Sequence, residues 1–279
     1  MTVVSLRHRD LPDFTDPPVA EVVLSIQFEP IKELRSPVVG QLWAKFRDRF
    51  PRVEEHEPIA PSIETFGERA RVPTVHVQVL DGFPSPRLFF LNEPGTELIQ
   101  IQKDRFSHNW RKQGQGDAYP RYEHIRDGFR RELEVFERFL EEEKVGQLAP
   151  TQCEVHYVNQ ILPGPVWSDH GEVGRVLAMV SGHGSDDFLP QPEDVRVSVR
   201  YVIPGPEGAP LGRLHLVAEP GYTPAGTSTI VLRLIARGRP AGSGVAGVLE
   251  FFDLGRQWIV RGFASATTPE MHRCWGRVQ

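Results

Sequence analysis

The chain has 279 residues, 39% of them hydrophobic and 25% charged, with a formal net charge of −5. That is enough apolar material for a core and too much for disorder. The acidic balance excludes nucleic-acid or anionic-membrane binding through the overall field and leaves only a local basic patch to do it. Two cysteines, Cys153 and Cys274, exclude a disulfide framework and leave a cysteine-based zinc site short of ligands.

The segment Met1 to Asp16 is polar and lacks the apolar stretch of a signal peptide. No run approaches ~18 apolar residues, so the expected setting is the cytoplasm, with no membrane partner. The first element, Val19 to Phe28 (VAEVVLSIQF), is β-branched and partly alternating, hence a strand, entered through Pro17 and Pro18. Ser36-Pro37 reads as an N-cap followed by proline at the first helical position. Val39, Leu42, Trp43, Phe46 and Phe50 continue that helix until Pro51 stops it.

A Pro- and Glu-rich connector spans Arg52 to Pro61. Strands are expected near Thr74–Leu80, Arg87–Asn92 and Glu97–Trp110, separated by the turn pairs Asp81-Gly82 and Pro94-Gly95. The clearest element follows. Tyr122, Ile125, Phe129, Leu133, Phe136 and Leu140 recur at three and four residues, with Arg130, Arg131, Glu134, Glu137, Arg138 and Glu141 opposite. This is an amphipathic helix lying on a core.

The same order then recurs: a strand at Cys153–Leu162, a short helix at Val173–Val180, and strands near Val195–Ile203, Arg213–Glu219 and Ser228–Arg237. A helix from about Val245 to Phe263 and a tail from Thr267 to Gln279 complete it. The string xEVxxxxQ occurs at Ala20–Gln27 and again at Cys153–Gln160, and with the shared element order it points to an internal duplication. The expected fold is α+β. Two related β-α-β-β-β-α halves, residues 1–148 and 149–279, form one curved, mainly antiparallel sheet with long helices on one face, in a TATA-binding-protein-like or helix-grip-like arrangement.

Four segments are candidates for chemistry. Gly242-Ser243-Gly244-Val245-Ala246-Gly247 is a GxGxxG between a strand and a helix, so Gly242, Gly244 and Gly247 are candidate anion-binding positions. A dinucleotide fold would need a further parallel strand after that helix, and only a short tail remains. The plainer reading is a flexible loop. Gly182–Asp187 carries His183, Asp186 and Asp187, and His170 is close in sequence. The EF-hand spacing is missing and no third ligand is in view, so no metal is expected. Lys103, Arg105, Phe106, Trp110, Arg111 and Lys112 interleave basic and aromatic residues, as a single-stranded nucleic-acid or partner surface requires. The plainer reading turns the aromatics inward. Glu21 and Glu154 occupy matching places in the two first strands, with His156 and Asn159 nearby. If those strands lie together they form an acid/base couple, and otherwise they are solvent-side residues.

No nucleophile elbow, Walker A, HExxH or kinase set is present, so no catalytic residues and no cofactors are expected. Several segments together resemble one sporadically distributed, uncharacterised prokaryotic family of about this length: PPVAEVVLSIQFEP (Pro17–Pro30), LWAKFRDRFP (Leu42–Pro51), LIQIQKDRFSHNWRK (Leu98–Lys112), YPRYEHIRDGF (Tyr119–Phe129), CEVHYVNQI (Cys153–Ile161) and MHRCWGR (Met271–Arg277). The resemblance implies no activity. Its sporadic distribution implies an accessory role, such as a defence or toxin-neutralising component. The expected function is a non-enzymatic protein-interaction module whose partner is another protein. The alternatives are a small-ligand cavity between sheet and long helices, a single-stranded nucleic-acid binder, and an enzyme using Glu21, Glu154 and His156.

Overall fold

The computed structural model describes residues 11–67, 86–114, 116–180 and 188–278. The strand expected at Thr74–Leu80 and the Gly182–Asp187 loop lie outside the described residues. The protein is α+β, and its described residues build a nine-stranded antiparallel sheet. The strands are β1 (Val19–Phe28), β2 (Arg52–His56), β3 (Arg87–Leu91), β4 (Glu97–Gln102), β5 (Arg105–Arg111), β6 (Pro150–Ile161), β7 (Val197–Pro204), β8 (Pro210–Tyr222) and β9 (Ser228–Gly238). Their spatial order is β2-β3-β4-β5-β1-β6-β9-β8-β7.

Strand alternation decides which face is which. Val22, Leu24, Ile26 and Phe28 of β1 are buried on one side, against Cys153, Val155 and Tyr157 of β6 and Phe106 of β5. On that side lie the two long helices, α2 (Tyr122–Glu142) and α4 (Gly244–Ala266). Phe136 stacks on Phe106 at 5.2 Å between centroids, and Phe129 meets Phe252 edge-on at 4.9 Å. The periodic stripe of α2 is fully buried from Ile125 to Leu140, so the space beneath this helix is filled by side chains. A cavity of about 700 Å³ lies instead beside the N-terminal end of α2, lined by Val19, Tyr122, Tyr157, Asn159, Arg256 and Ile259.

Helix α1 (Ser36–Phe46) starts at the expected place, but Arg35 is its N-cap and no side chain caps it. It ends four residues earlier than the spacing implies. Phe50 is still held by its amide on the Phe46 carbonyl at 2.9 Å, and the Trp43 indole closes the turn on the Phe50 carbonyl at 3.0 Å. The expected strand Glu97–Trp110 is two strands joined by a tight turn at Lys103-Asp104. The core-facing positions change parity there, from Ile99 and Ile101 to Phe106, His108 and Trp110. The connector after Pro51 begins with edge strand β2. The expected tail contains α5 (Pro269–Cys274), with the Thr268 side chain accepting from the Met271 amide. Helix α3 (Val173–Val176) is shorter than expected and follows one 3₁₀ turn at His170–Glu172. Among the described residues, no helix is long and apolar enough to cross a membrane.

Candidate functional site

Among the described residues, the opposite sheet face carries no long helix. The alternation that sends apolar residues to the core sends Glu21, Val23, Ser25 and Gln27 of β1 here. They are joined by Gln100 and Gln102 of β4, by Arg105, Ser107, Asn109 and Arg111 of β5, and by Gln152, Glu154 and His156 of β6. Arg233 and Arg237 of β9 and Arg213 and His215 of β8 extend the face. In an acidic protein this surface concentrates arginine.

An extended segment, residues 57–66, crosses the face and is held by its backbone. Gln102 receives the Ile59 amide at 3.0 Å and donates to the Ile59 carbonyl at 2.9 Å. Gln27 does the same for Ser62, at 2.7 and 2.9 Å. Gln152 accepts from the Glu64 amide at 2.8 Å. Each clamping side chain imitates the donor–acceptor pair of a neighbouring strand. At its far end the segment anchors Glu64 on Arg213, on His215 at 2.5 Å and on Arg237 at 3.5 Å. Arg213 also lies 4.2 Å over the Phe66 ring. Burial alone would raise the Glu64 pKa. The hydrogen bonds of His215 and Arg213 and the charges of His215 and Arg237 outweigh it and bring the carboxyl down to about 2.

Beside this segment lies a cavity of about 290 Å³, lined by Glu21, Val23, Ile59, Arg87, Phe89 and Leu98 and also by Gln100, Arg105, Ser107, Asn109, Glu154 and His156. Its polar walls form a relay. Arg87 donates to Gln100 at 3.2 Å, Gln100 to Asn109 at 2.8 Å, and Asn109 to Glu21 at 2.7 Å. Ser107 donates to Ser25 at 2.7 Å, and Arg237 holds Glu154 at 2.6 Å. The Nε2 of His156 is sealed from water with no partner. Burial, the leading cause, lowers the imidazole pKa to about 4, so His156 is neutral near pH 7.

Glu21, Glu154 and His156, read from matching places in two strands, thus line one cavity, because β1 and β6 are neighbours. Asn159 does not join them. It faces the core side and donates to the Leu232 carbonyl at 3.1 Å. The basic-aromatic segment is divided between surfaces. Phe106 and Trp110 are buried on the helix side, and Arg105 and Arg111 are on the opposite face. Lys103 and Lys112 are exposed at opposite ends of β5.

Of the GxGxxG glycines, Gly244 takes the left-handed conformation at φ +59°, and a Cβ at Gly247 would collide with the Gly242 carbonyl group. The Ala241 amide bonds the Gly247 carbonyl at 3.0 Å, so this glycine lets backbone lie directly on the first turn of α4. Gly247→Ala is expected to cost about 1–3 kcal/mol through overpacking, read as a lower urea midpoint at unchanged slope. A variant as stable as wild type would show that the loop gives way freely. His170 is buried, with Nε2 bonded to the carbonyls of Gly221 (3.2 Å) and Thr229 (3.1 Å). Among the described residues no three His, Cys, Asp or Glu side chains are grouped to hold a metal. Burial pushes the Cys153 thiol pKa up.

No family model, curated protein or solved structure matches the chain. Two parts of the site escaped sequence reasoning. The clamping glutamines carry no periodic signal, and Arg87 reads only as the start of a strand.

Proposed function

We propose that the protein is a polypeptide-binding module that holds an extended segment of a partner protein on the sheet face opposite α2 and α4, where residues 57–66 sit in the isolated chain. The carrying observation is the way that segment is held. Gln27 and Gln102 each grip the amide and carbonyl of one residue, and Gln152 grips a third amide. Recognition through backbone groups tolerates many side chains, as in strand addition at a sheet edge. The Arg213, His215 and Arg237 cluster adds one requirement, an acidic residue two positions beyond the second clamp, as Glu64 follows Ser62. Such a module suits an accessory neutralising component of the kind the family resemblance implies, and it needs no catalytic group.

An internal duplication in a TATA-binding-protein-like or helix-grip-like sheet is consistent with this reading. Under the offset that aligns Glu21 with Glu154 and Gln27 with Gln160, the Val23–His156 pair maps onto itself. The Glu21–Val158 pair maps onto Ser25–Glu154, and Val22–Tyr157 onto Leu24–Val155. The pairing dyad between the halves therefore coincides with the dyad implied by the repeat.

The test uses a labelled peptide with the sequence of residues 57–66, EPIAPSIETF. Glu64→Ala releases the internal segment from its arginine anchor, so this variant is expected to bind the peptide at least tenfold more tightly than wild type, a difference of about 1.4 kcal/mol. Adding Gln27→Ala and Gln102→Ala is expected to abolish that gain. Equal binding with and without the two glutamines, or no binding to the Glu64→Ala protein, would overturn the reading. Acid is expected to act like the substitution. The folded Glu64 pKa lies below its ordinary 4.5, so the anchor contributes fully above that value and is lost as pH falls toward about 2. Amide exchange in residues 57–66 should report this.

A further inference from the structure

We infer that the cavity between Arg87 and Arg105 is a binding site for a small organic oxyanion, a carboxylate or a phosphate ester. This rests on the cavity walls and not on the glutamine clamps.

Arg105 is 6% exposed. Among the described residues it has no ion pair, and its one hydrogen bond is to the Ala60 carbonyl at 3.5 Å. Its Nε is buried without a partner, and burial, the largest cause, lowers its pKa. A buried guanidinium without a direct ion-pair partner is costly to the free protein. The charges of nearby Glu154 and Asp104 act against that cost without reversing it, and neither forms an ion pair with Arg105. Glu154 is taken by Arg237 at 2.6 Å, Glu21 by Asn109 at 2.7 Å, and Asp104 accepts from Gln102 at 2.7 Å.

Arg87, on the other wall, also has a buried Nε without a partner. Its guanidinium lies 4.8 Å over the Phe89 ring, and its Nη1 donates to Gln100. Within the wall Ser107 donates to Ser25, and the Asn109 side-chain carbonyl accepts from Gln100. The cavity thus presents two guanidinium groups, each with an unpartnered Nε, beside the carboxylates of Glu21 and Glu154, which Asn109 and Arg237 already engage. Two guanidinium groups provide forked donors matched to an oxyanion, and Val23, Ile59, Phe89 and Leu98 offer apolar surface to the body that carries it.

Thermal unfolding with and without saturating inorganic phosphate or benzoate tests the site, in wild type and in Arg105→Met. At least one anion is expected to raise the wild-type midpoint by about 5 °C and to leave Arg105→Met unmoved. Without anion, the Arg105→Met midpoint should equal or exceed that of wild type, because the substitution removes an unpaired buried charge. Benzoate alone acting identifies a carboxylate ligand, and phosphate alone identifies a phosphate ester. A purely structural Arg105 would give a lower variant midpoint and the same anion response in both proteins. That outcome, or no response to either anion in wild type, overturns the inference. If Arg105→Met does not fold, Arg87→Met carries the same comparison.

Discussion

Replacing Glu132 with alanine is expected to destabilise the protein by about 3–5 kcal/mol, because it removes a buried carboxylate from the groups it holds. Glu132 sits in the core-facing stripe of α2 with its side chain 1% exposed. There it meets the imidazole Nδ1 of His108, which is also 1% exposed, and accepts from Arg49 at 2.9 Å. The Nε2 of His108 already lacks a partner, so the truncation strands both ring nitrogens in an apolar layer. Gly128 completes the arrangement, because a Cβ there would press to 3.0 Å from the imidazole. Arg49 is about half exposed, and Arg49→Ala should cost less than about 1 kcal/mol. Urea denaturation of the two variants separates the buried contact from the surface one. Similar small losses for both would mean that the carboxylate is not what holds His108 in place.

Phe129→Ala is the second large effect, about 3–5 kcal/mol for a fully buried phenyl ring. Phe129 packs edge-on against Phe106 of the sheet at 5.6 Å and against Phe252 of α4 at 4.9 Å. Its loss opens a void where both long helices meet the strands. A double-mutant cycle with Phe252→Ala should show a coupling of about 0.5–1.5 kcal/mol. Strict additivity would mean that the two helices are fastened independently.

The elements that bury a regular stripe were legible in the sequence. The three- and four-residue spacing of Tyr122 to Leu140 and the alternation in Val19 to Phe28 report burial directly. The Lys103-Asp104 turn is harder to read because it carries neither glycine nor proline, although the parity change from Ile101 to Phe106 records it. Edge strand β2 (RVEEH) hides because an exposed strand with one paired side needs no apolar face. Thr268-Pro269 is a capping signal of the standard kind, and its reading as tail overlooked that. In the site, Glu21, Glu154 and His156 could be proposed as neighbours only on the condition that β1 and β6 pair, which is a tertiary fact. Gln102 and Gln152 could not be singled out, and Gln27 stood out only as the end of a repeated string, since a side-chain amide that clamps a distant backbone looks like any other polar strand residue.

The position of β1 at the middle of the sheet bears on how the chain is made. Its two partners are β5, ending at Arg111, and β6, ending at Ile161. A growing chain that has just emitted Val22, Leu24 and Ile26 therefore has nothing to pair with on one side until β5 emerges. On the other side it waits until β6 has left the ribosome. Non-local closure of this kind slows folding and exposes sticky strand surface during synthesis. Translation speed between residues 30 and 160, and access of chaperones to the nascent N-terminal strand, should therefore govern the yield of native protein more than any late step.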